Sequence, residues 1–382
     1  MKMFEYLRLT FIATLFILVS CSSTSGNDPE TPVPDTKEKI KYTADYDDGS
    51  TIFINVKIAI DRKGWNAQTP AFFKEKLTEQ WEKINARFNN SDKKHQLKRK
   101  YIFKPDLDDI IVYDGCSYWG ENGANMKAIK QMDKSIFKLV VIYDFFYEGA
   151  ENGEYGGGCG NDDGIGTILV INASEGMKNK YNDHFNIYTY RAITHELGHF
   201  RGVIDLYADV VEGKNNPVNG EGFTPPHCLM NDYCYTPDEE SSWSDYAINI
   251  INKVGNTKQT DLINSLMYSD FADRMVITTT KNGAPVDTKV SLYLATYSFD
   301  TWCNTVSKTP YCTYNTKNRT YTVTDLRNLF FRSAENKWDR RQVFLVEAAT
   351  TDGAKKYTWI SDYMMHESGM DGNKTYEVKI DF

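Results

Sequence analysis

The sequence has no C-x-x-C pair among its seven cysteines, which argues against a cysteine-built metal cluster. It is short of positive charge. Lys plus Arg number 44 against 52 Asp plus Glu, and the net charge of −8 argues against a nucleic-acid or anionic-membrane surface as the main partner. There is no apolar run of the length a membrane span needs, about 20 residues; the N-terminal run stops at Leu9 to Val19. No internal repeat is found. The glycine-rich stretch "ENGEYGGGCGNDDGIG" carries acids but lacks the regular ligand spacing and final glutamate of an EF-hand loop, so it gives calcium no support and reads as a surface loop pinned by Cys159. The basic run "KKHQLKRK" (Lys93 to Lys100) reads as a solvated loop and strand end.

What is present describes a folded, extracytoplasmic chain. The 382 residues are enough for two domains, and the hydrophobic, charged and aromatic fractions of 41%, 25% and 14% are those of a globular, β-rich protein. Lys2 and Arg8 precede the short apolar run, which has the shape of a secretory h-region. It ends in Leu18-Val19-Ser20-Cys21, which resembles the bacterial lipobox; the resemblance implies a signal peptide over 1–20 and lipidation of Cys21. The small, polar, proline-containing stretch that follows reads as a flexible tether over 21–44. The expected location is the bacterial cell envelope, at the outer membrane or cell surface, held through this lipid anchor. Six cysteines remain, and spacing favours the pairs Cys228–Cys234, Cys303–Cys312 and Cys116–Cys159.

Alternation of Ile52, Ile54, Val56, Ile58 and Ile60 predicts a half-buried strand over 50–60. Thr69-Pro70 is a helix start, and Phe73, Leu77, Trp81, Ile84 and Phe88 then recur at helical spacing. Strands are expected at 100–103, 110–113, 137–145 and 166–174, and helices through 193–200 and over 245–254. From about Met275 the chain becomes short alternating runs separated by turn signals such as Asn282-Gly283, the texture of an antiparallel β-sandwich.

The chemistry concentrates in "ITHELGHFRGVID". Residues four apart on a helix lie about 40° apart around its axis, so His195 and His199 project from one face and can share a metal ion. Glu196 is turned away from that pair but can reach a water on the metal as general base. Ile193, Leu197 and Phe200 form the face that holds the helix to the core. Three residues past His199, Gly202 can adopt positive φ at little cost, turning the chain back so that the Asp205 carboxylate completes a three-ligand site with an open position. His227 and Asp209 compete for the third ligand position. His95, His184 and His366 read as non-functional.

This stretch resembles the H-E-x-x-H-x-x-G-x-x-H/D signature of the metzincin zinc endopeptidases, in the snapalysin-like variant with aspartate as third ligand. The resemblance covers roughly 45–255. It implies a metzincin-like catalytic domain of twisted mixed sheet and long helices over 45–272; with the β-sandwich over 273–382, whose opening "NGAPVDTKVSLYLA" separately resembles small Ig-like or prealbumin-like modules, the chain is α+β. The metzincin resemblance also implies one catalytic Zn2+, a protein or glycoprotein substrate, and a methionine turn beneath the metal, for which "HCLMNDYC" offers Met230. Here the sequence departs from the family: Cys228 stands where a serine is usual, and Tyr233, the candidate for oxyanion stabilisation, comes one residue late. A Cys228–Cys234 bridge would then clamp the turn. The family further implies that an edge strand binds extended substrate, with "TILVIN" as the candidate. The alternative function is a surface adhesin or glycan-binding lipoprotein on an inactive protease scaffold.

Overall fold

The structure, a computed structural model, describes residues 45–91, 95–114, 123–145, 155–162, 164–172, 184–232, 242–254, 271–298, 303–315, 320–330 and 343–382. The signal peptide, Cys21 and the tether lie outside the described residues, as do Cys116, Tyr233 and Cys234. The fold is mixed α+β with several sheets. It divides into two compact units, one formed by residues up to 88 and by 100–197, the other by 89–99 and 198–382. Among the described residues no helix is long and apolar enough to cross a membrane.

The first unit comprises β1 (Tyr46–Asp47), β2 (Thr51–Asp61), α1 (Arg62–Asn66), α2 (Pro70–Phe88), β3 (Lys100–Tyr113), α3 (Ala124–Gln131), β4 (Leu139–Asp144), β5 (Tyr155–Asp162), β6 (Ile165–Asn172) and the start of α4 (Ile187–Phe200). Strands β3, β2, β4 and β6 run parallel, β5 closes one side antiparallel to β6, and β1 pairs antiparallel with the start of β2. Strand β2 is buried along nearly its whole length, not half-buried as its alternation predicts. The reason is a helix on each face, as parallel sheets require. The α2 stripe of Phe73, Leu77, Trp81, Ile84 and Phe88 is fully buried, with Phe88 and Trp81 meeting Phe103, the partner of Ile54 across the ladder. On the other face Ala59, Ile111, Val140 and Ile142 pack with Ala128 and Ile129 of α3, a helix that the sequence reading did not anticipate. Lys57 sits on that face as well. Its ammonium is buried between Asp106 (2.8 Å) and Asp109 (2.9 Å) and lies over the Phe137 ring. The two strands expected at 100–103 and 110–113 are one strand, β3, with a register shift at Lys57/Ala59.

Two further expectations are corrected here. "TILVIN" lies in β6, an interior strand; among the described residues the edge on that side is β5, made of the glycine-rich residues read as a surface loop. Glycine is a poor strand former by itself. The antiparallel partner one short turn away supplies the backbone pairing, with Gly164 at φ +73° in the turn.

The second unit continues α4 and adds α5 (Leu229–Asp232), α6 (Asp245–Val254), β7 (Arg274–Lys281), β8 (Ala284–Pro285), β9 (Thr288–Ser298), β10 (Cys303–Val306), β11 (Cys312–Asn315), β12 (Thr320–Thr324), α7 (Leu326–Phe330), β13 (Val343–Thr350), β14 (Lys355–Ser361), α8 (Asp362–Met370) and β15 (Thr375–Asp381). One sheet has the order β10-β9-β13-β14 with β11 also on β9; the other has β12-β7-β15 with β8 on β7. The pairing is not wholly antiparallel as expected, because β15 runs parallel to β7 after α8 carries the chain across.

Register also corrects the Cys303–Cys312 pairing. Both β10 and β11 pair with β9, Cys303 opposite Ser298 and Cys312 opposite Leu292. Six residues of strand separate those positions by about 20 Å, far beyond the Cα spacing a disulfide spans. Cys312 is a free, half-buried thiol. Cys159 belongs to β5, and its partner position, Cys116, is outside the described residues. The basic run is not simply solvated: Asn252 of α6 accepts from the Lys98 N–H (2.7 Å) and donates to the Gln96 carbonyl (2.8 Å), while His95 meets Asp371 at 2.9 Å.

Candidate metal centre

The approach to α4 is fixed inside the first unit by buried polar contacts. Gln80 donates to the His184 carbonyl (2.6 Å) and accepts from Tyr143 Oη (2.7 Å). His184 Nε2 donates to the Asp144 carbonyl (2.8 Å), and its ring stacks on Phe145. His184 is therefore a structural histidine, as is His366, buried and edge-on to Tyr246.

The helix then carries His195, Glu196 and His199 and ends at Gly202. Gly202 lies at φ +84°. Its N–H donates to the His199 carbonyl (2.8 Å), and the Val203 N–H donates to the Gly198 carbonyl (3.0 Å), which is how a helix closes on a left-handed glycine. That closure has a second effect. It brings the Val203 carbonyl to His199 Nδ1 at 2.8 Å. A carbonyl only accepts, so Nδ1 carries the hydrogen, and Nε2 presents its lone pair. Asp205 Oδ1 faces that Nε2 at 3.0 Å. Two acceptors so placed need a proton or a metal ion between them.

His195, His199 and Asp205 each offer one ligand atom, and these atoms all lie within 4.8 Å of one another. The three come from one continuous stretch of chain. A tetrahedral zinc with ligands at its usual 2.0–2.1 Å separates them by about 3.3 Å, close to the observed His199–Asp205 distance. Two imidazoles and one carboxylate suit zinc and do not suit calcium, which takes six to eight oxygens. Glu196, next to the first ligand, is buried at 3% exposure.

Met230 is fully buried, and its carbonyl accepts from the Leu206 N–H at 2.8 Å, tying the Met230 turn to the residue after Asp205. Its Sδ also lies against the backbone of Gly198: a Cβ at that glycine would come within 2.9 Å of Met230 Sδ and of Trp243 Cζ3. The competing third ligands are not in the cluster. His227 is exposed, and Asp209 is buried in a 3-10 turn, Tyr207–Asp209. Cys228 is buried beside Met230; its suggested partner Cys234 lies outside the described residues.

Sequence reasoning missed Trp243, the Val203 carbonyl and Asn304, whose amide donates to the carbonyls of Ala208 (2.5 Å) and Val210 (3.0 Å). The Val203 contact was within reach, since a glycine-closed helix end places that carbonyl under the last turn. The other two come from distant chain and left no local signal.

No family model matches the chain, and no curated protein matches it. Among solved structures it is similar to wild-type OgpA from Akkermansia muciniphila, at 12% identity and a TM-score of 0.31, over 87% of this chain and 97% of that one. It is similar also to catalytically inactive OgpA from the same organism in complex with an O-glycopeptide, glycodrosocin, at 13% identity and 0.30, over 86% and 97%. Likeness at this level assigns neither fold nor activity.

Proposed function

We propose that the chain is a zinc-dependent endopeptidase of the cell envelope, lipid-anchored through Cys21, that hydrolyses peptide bonds in protein or glycoprotein substrates. The observation that carries the reading is the His195–His199–Asp205 cluster with Glu196 between the two histidines. The resemblance to the metzincin signature adds the reaction class. A zinc ion held by those three side chains supplies the Lewis acidity that polarises a scissile carbonyl and acidifies a water.

The rest falls to the chain's own groups. Glu196 takes the proton of the attacking water and delivers it to the leaving amine nitrogen, so one carboxylate serves as base and then as acid. Its burial keeps competing solvent away from that proton transfer. His199 keeps Nε2 available because Nδ1–H is committed to Val203.

E196A should retain one zinc per chain and lose cleavage of a mixed peptide library by at least about 100-fold, the low end of general acid–base contributions. Chelator-sensitive new termini in the wild-type digest support the reading. Full cleavage by E196A, or no cleavage of any peptide by the zinc-loaded wild type, would sink it.

A further inference from the structure

We infer that Asn304 is a positioning residue for the Asp205 ligand, making the C-terminal sheet part of the frame of the metal centre. The inference rests on the metal-site reading above. Asn304 projects from β10 and is 1% exposed. Its single amide nitrogen donates to two backbone carbonyls, Ala208 at 2.5 Å and Val210 at 3.0 Å. The first carbonyl lies within the 3-10 turn Tyr207–Asp209, which starts two residues after Asp205, and the second belongs to the residue that follows that turn. On the near side, the Leu206 N–H is tied to the Met230 carbonyl. The ligand thus stands on a strap of backbone fixed at 206 and again at 208–210.

Beyond the strap the same sheet makes a second contact. Val211 and Phe223 form an isolated antiparallel bridge through bonds of 2.9 and 2.8 Å, and the Phe223 ring lies 5.6 Å from that of Trp359 in β14. The segment from Asp205 to Phe223 has no strand or α-helix of its own apart from short 3-10 turns. Its order therefore depends on what holds it. A ligand carried on a strap that must first be ordered binds its metal more weakly than one already in place. The amide is suited to this work in a way near-isosteric residues are not. Leucine at 304 donates nothing to the two carbonyls, and aspartate turns a carboxylate toward them.

The test uses the full-length protein in three variants: N304L; N304A, whose smaller side chain leaves space for a water; and T305A as a control, exposed on the same strand. Zinc Kd is measured by competition with a chromophoric chelator, and Tm is measured on the metal-free form. Zinc Kd should weaken by about 10- to 100-fold in the asparagine variants, the range seen when groups orienting a metal ligand are removed. T305A should match the wild type. A purely structural role would lower the metal-free Tm and leave zinc Kd unchanged in the folded protein. That result in N304L, or in N304A should N304L not fold, overturns the inference. A wild type that fails to bind zinc at all overturns the site reading itself, so the two failures are distinguishable.

Discussion

Gly198 lies inside the site helix, where replacing glycine by alanine ordinarily stabilises a helix by about 1 kcal/mol. Here the structure predicts the opposite. A Cβ at 198 would lie 2.9 Å from Met230 Sδ, 2.9 Å from Trp243 Cζ3 and 3.0 Å from Trp243 Cη2. Carbon contacts are comfortable at about 3.5–4.0 Å, so the helix and the two buried side chains must separate by roughly 0.5 Å or more. Met230 can flex, but Trp243 is fully buried and its ring is rigid. Overpacking of this kind costs about 1–3 kcal/mol; set against the helix gain, G198A should be destabilised by up to about 2 kcal/mol, a fall of a few degrees in Tm. The same displacement moves His199 relative to the Met230 turn to which Leu206 is tied. Ligand geometry tolerates only about 0.5 Å of error, and zinc Kd should weaken by at least about tenfold. Thermal unfolding of the metal-free form and chelator competition read the two effects separately. A variant that gains the full helix increment and binds zinc as the wild type does would refute the tight seat of Gly198 on Met230 and Trp243.

Other substitutions follow from single features. G202A has room for its Cβ, with Val254 and Ile250 methyls at 3.4 and 3.5 Å, so its cost is the left-handed backbone at φ +84°, about 1–2 kcal/mol; a Tm unchanged from wild type would contradict this. Asp61 caps α1 by accepting from the Gly64 N–H (2.8 Å) and accepts also from the distant Phe145 N–H (2.7 Å), and burial outweighs those bonds to hold its carboxyl above the usual 3.8. A raised folded pKa gives stability that is complete below the unfolded value and lost as pH rises through the folded one. The Tm of D61N relative to wild type should therefore climb as pH is raised from 3.8, and a relative Tm that falls instead would show the hydrogen bonds dominating. Cys312, with its thiol pushed up by burial, should be alkylated in the denatured, unreduced protein; a Cys303–Cys312 crosslinked peptide would contradict the register of β10 and β11.

The long periodic elements were legible because their signals are local. The α2 stripe, the α6 boundaries at Asp245 and Val254, and the strands β2, β4 and β6 follow from side-chain period and start signals. What misled was context. The glycines of β5 look like loop until β6 pairs with them, and alternation in β2 looks half-buried until α2 and α3 cover its two faces. The β7–β15 parallel pairing links residues about a hundred positions apart and has no signature in either strand alone.

The candidate site divides along the same line. His195, Glu196, His199, Gly202 and Asp205 occupy one short stretch, and helical spacing plus one left-handed glycine suffices to bring the ligand atoms together. Such geometry is set by bonds between near neighbours, so the spacing of residues along one stretch of chain is enough to fix it. Tertiary structure alone decided the seat of Met230 and Trp243 under Gly198, the hold of Asn304 on residues 208–210, and, among the described residues, the choice of β5 as the sheet edge beside β6. Each of these depends on which distant segments share a surface, and that is fixed by packing and strand order, which no local spacing records.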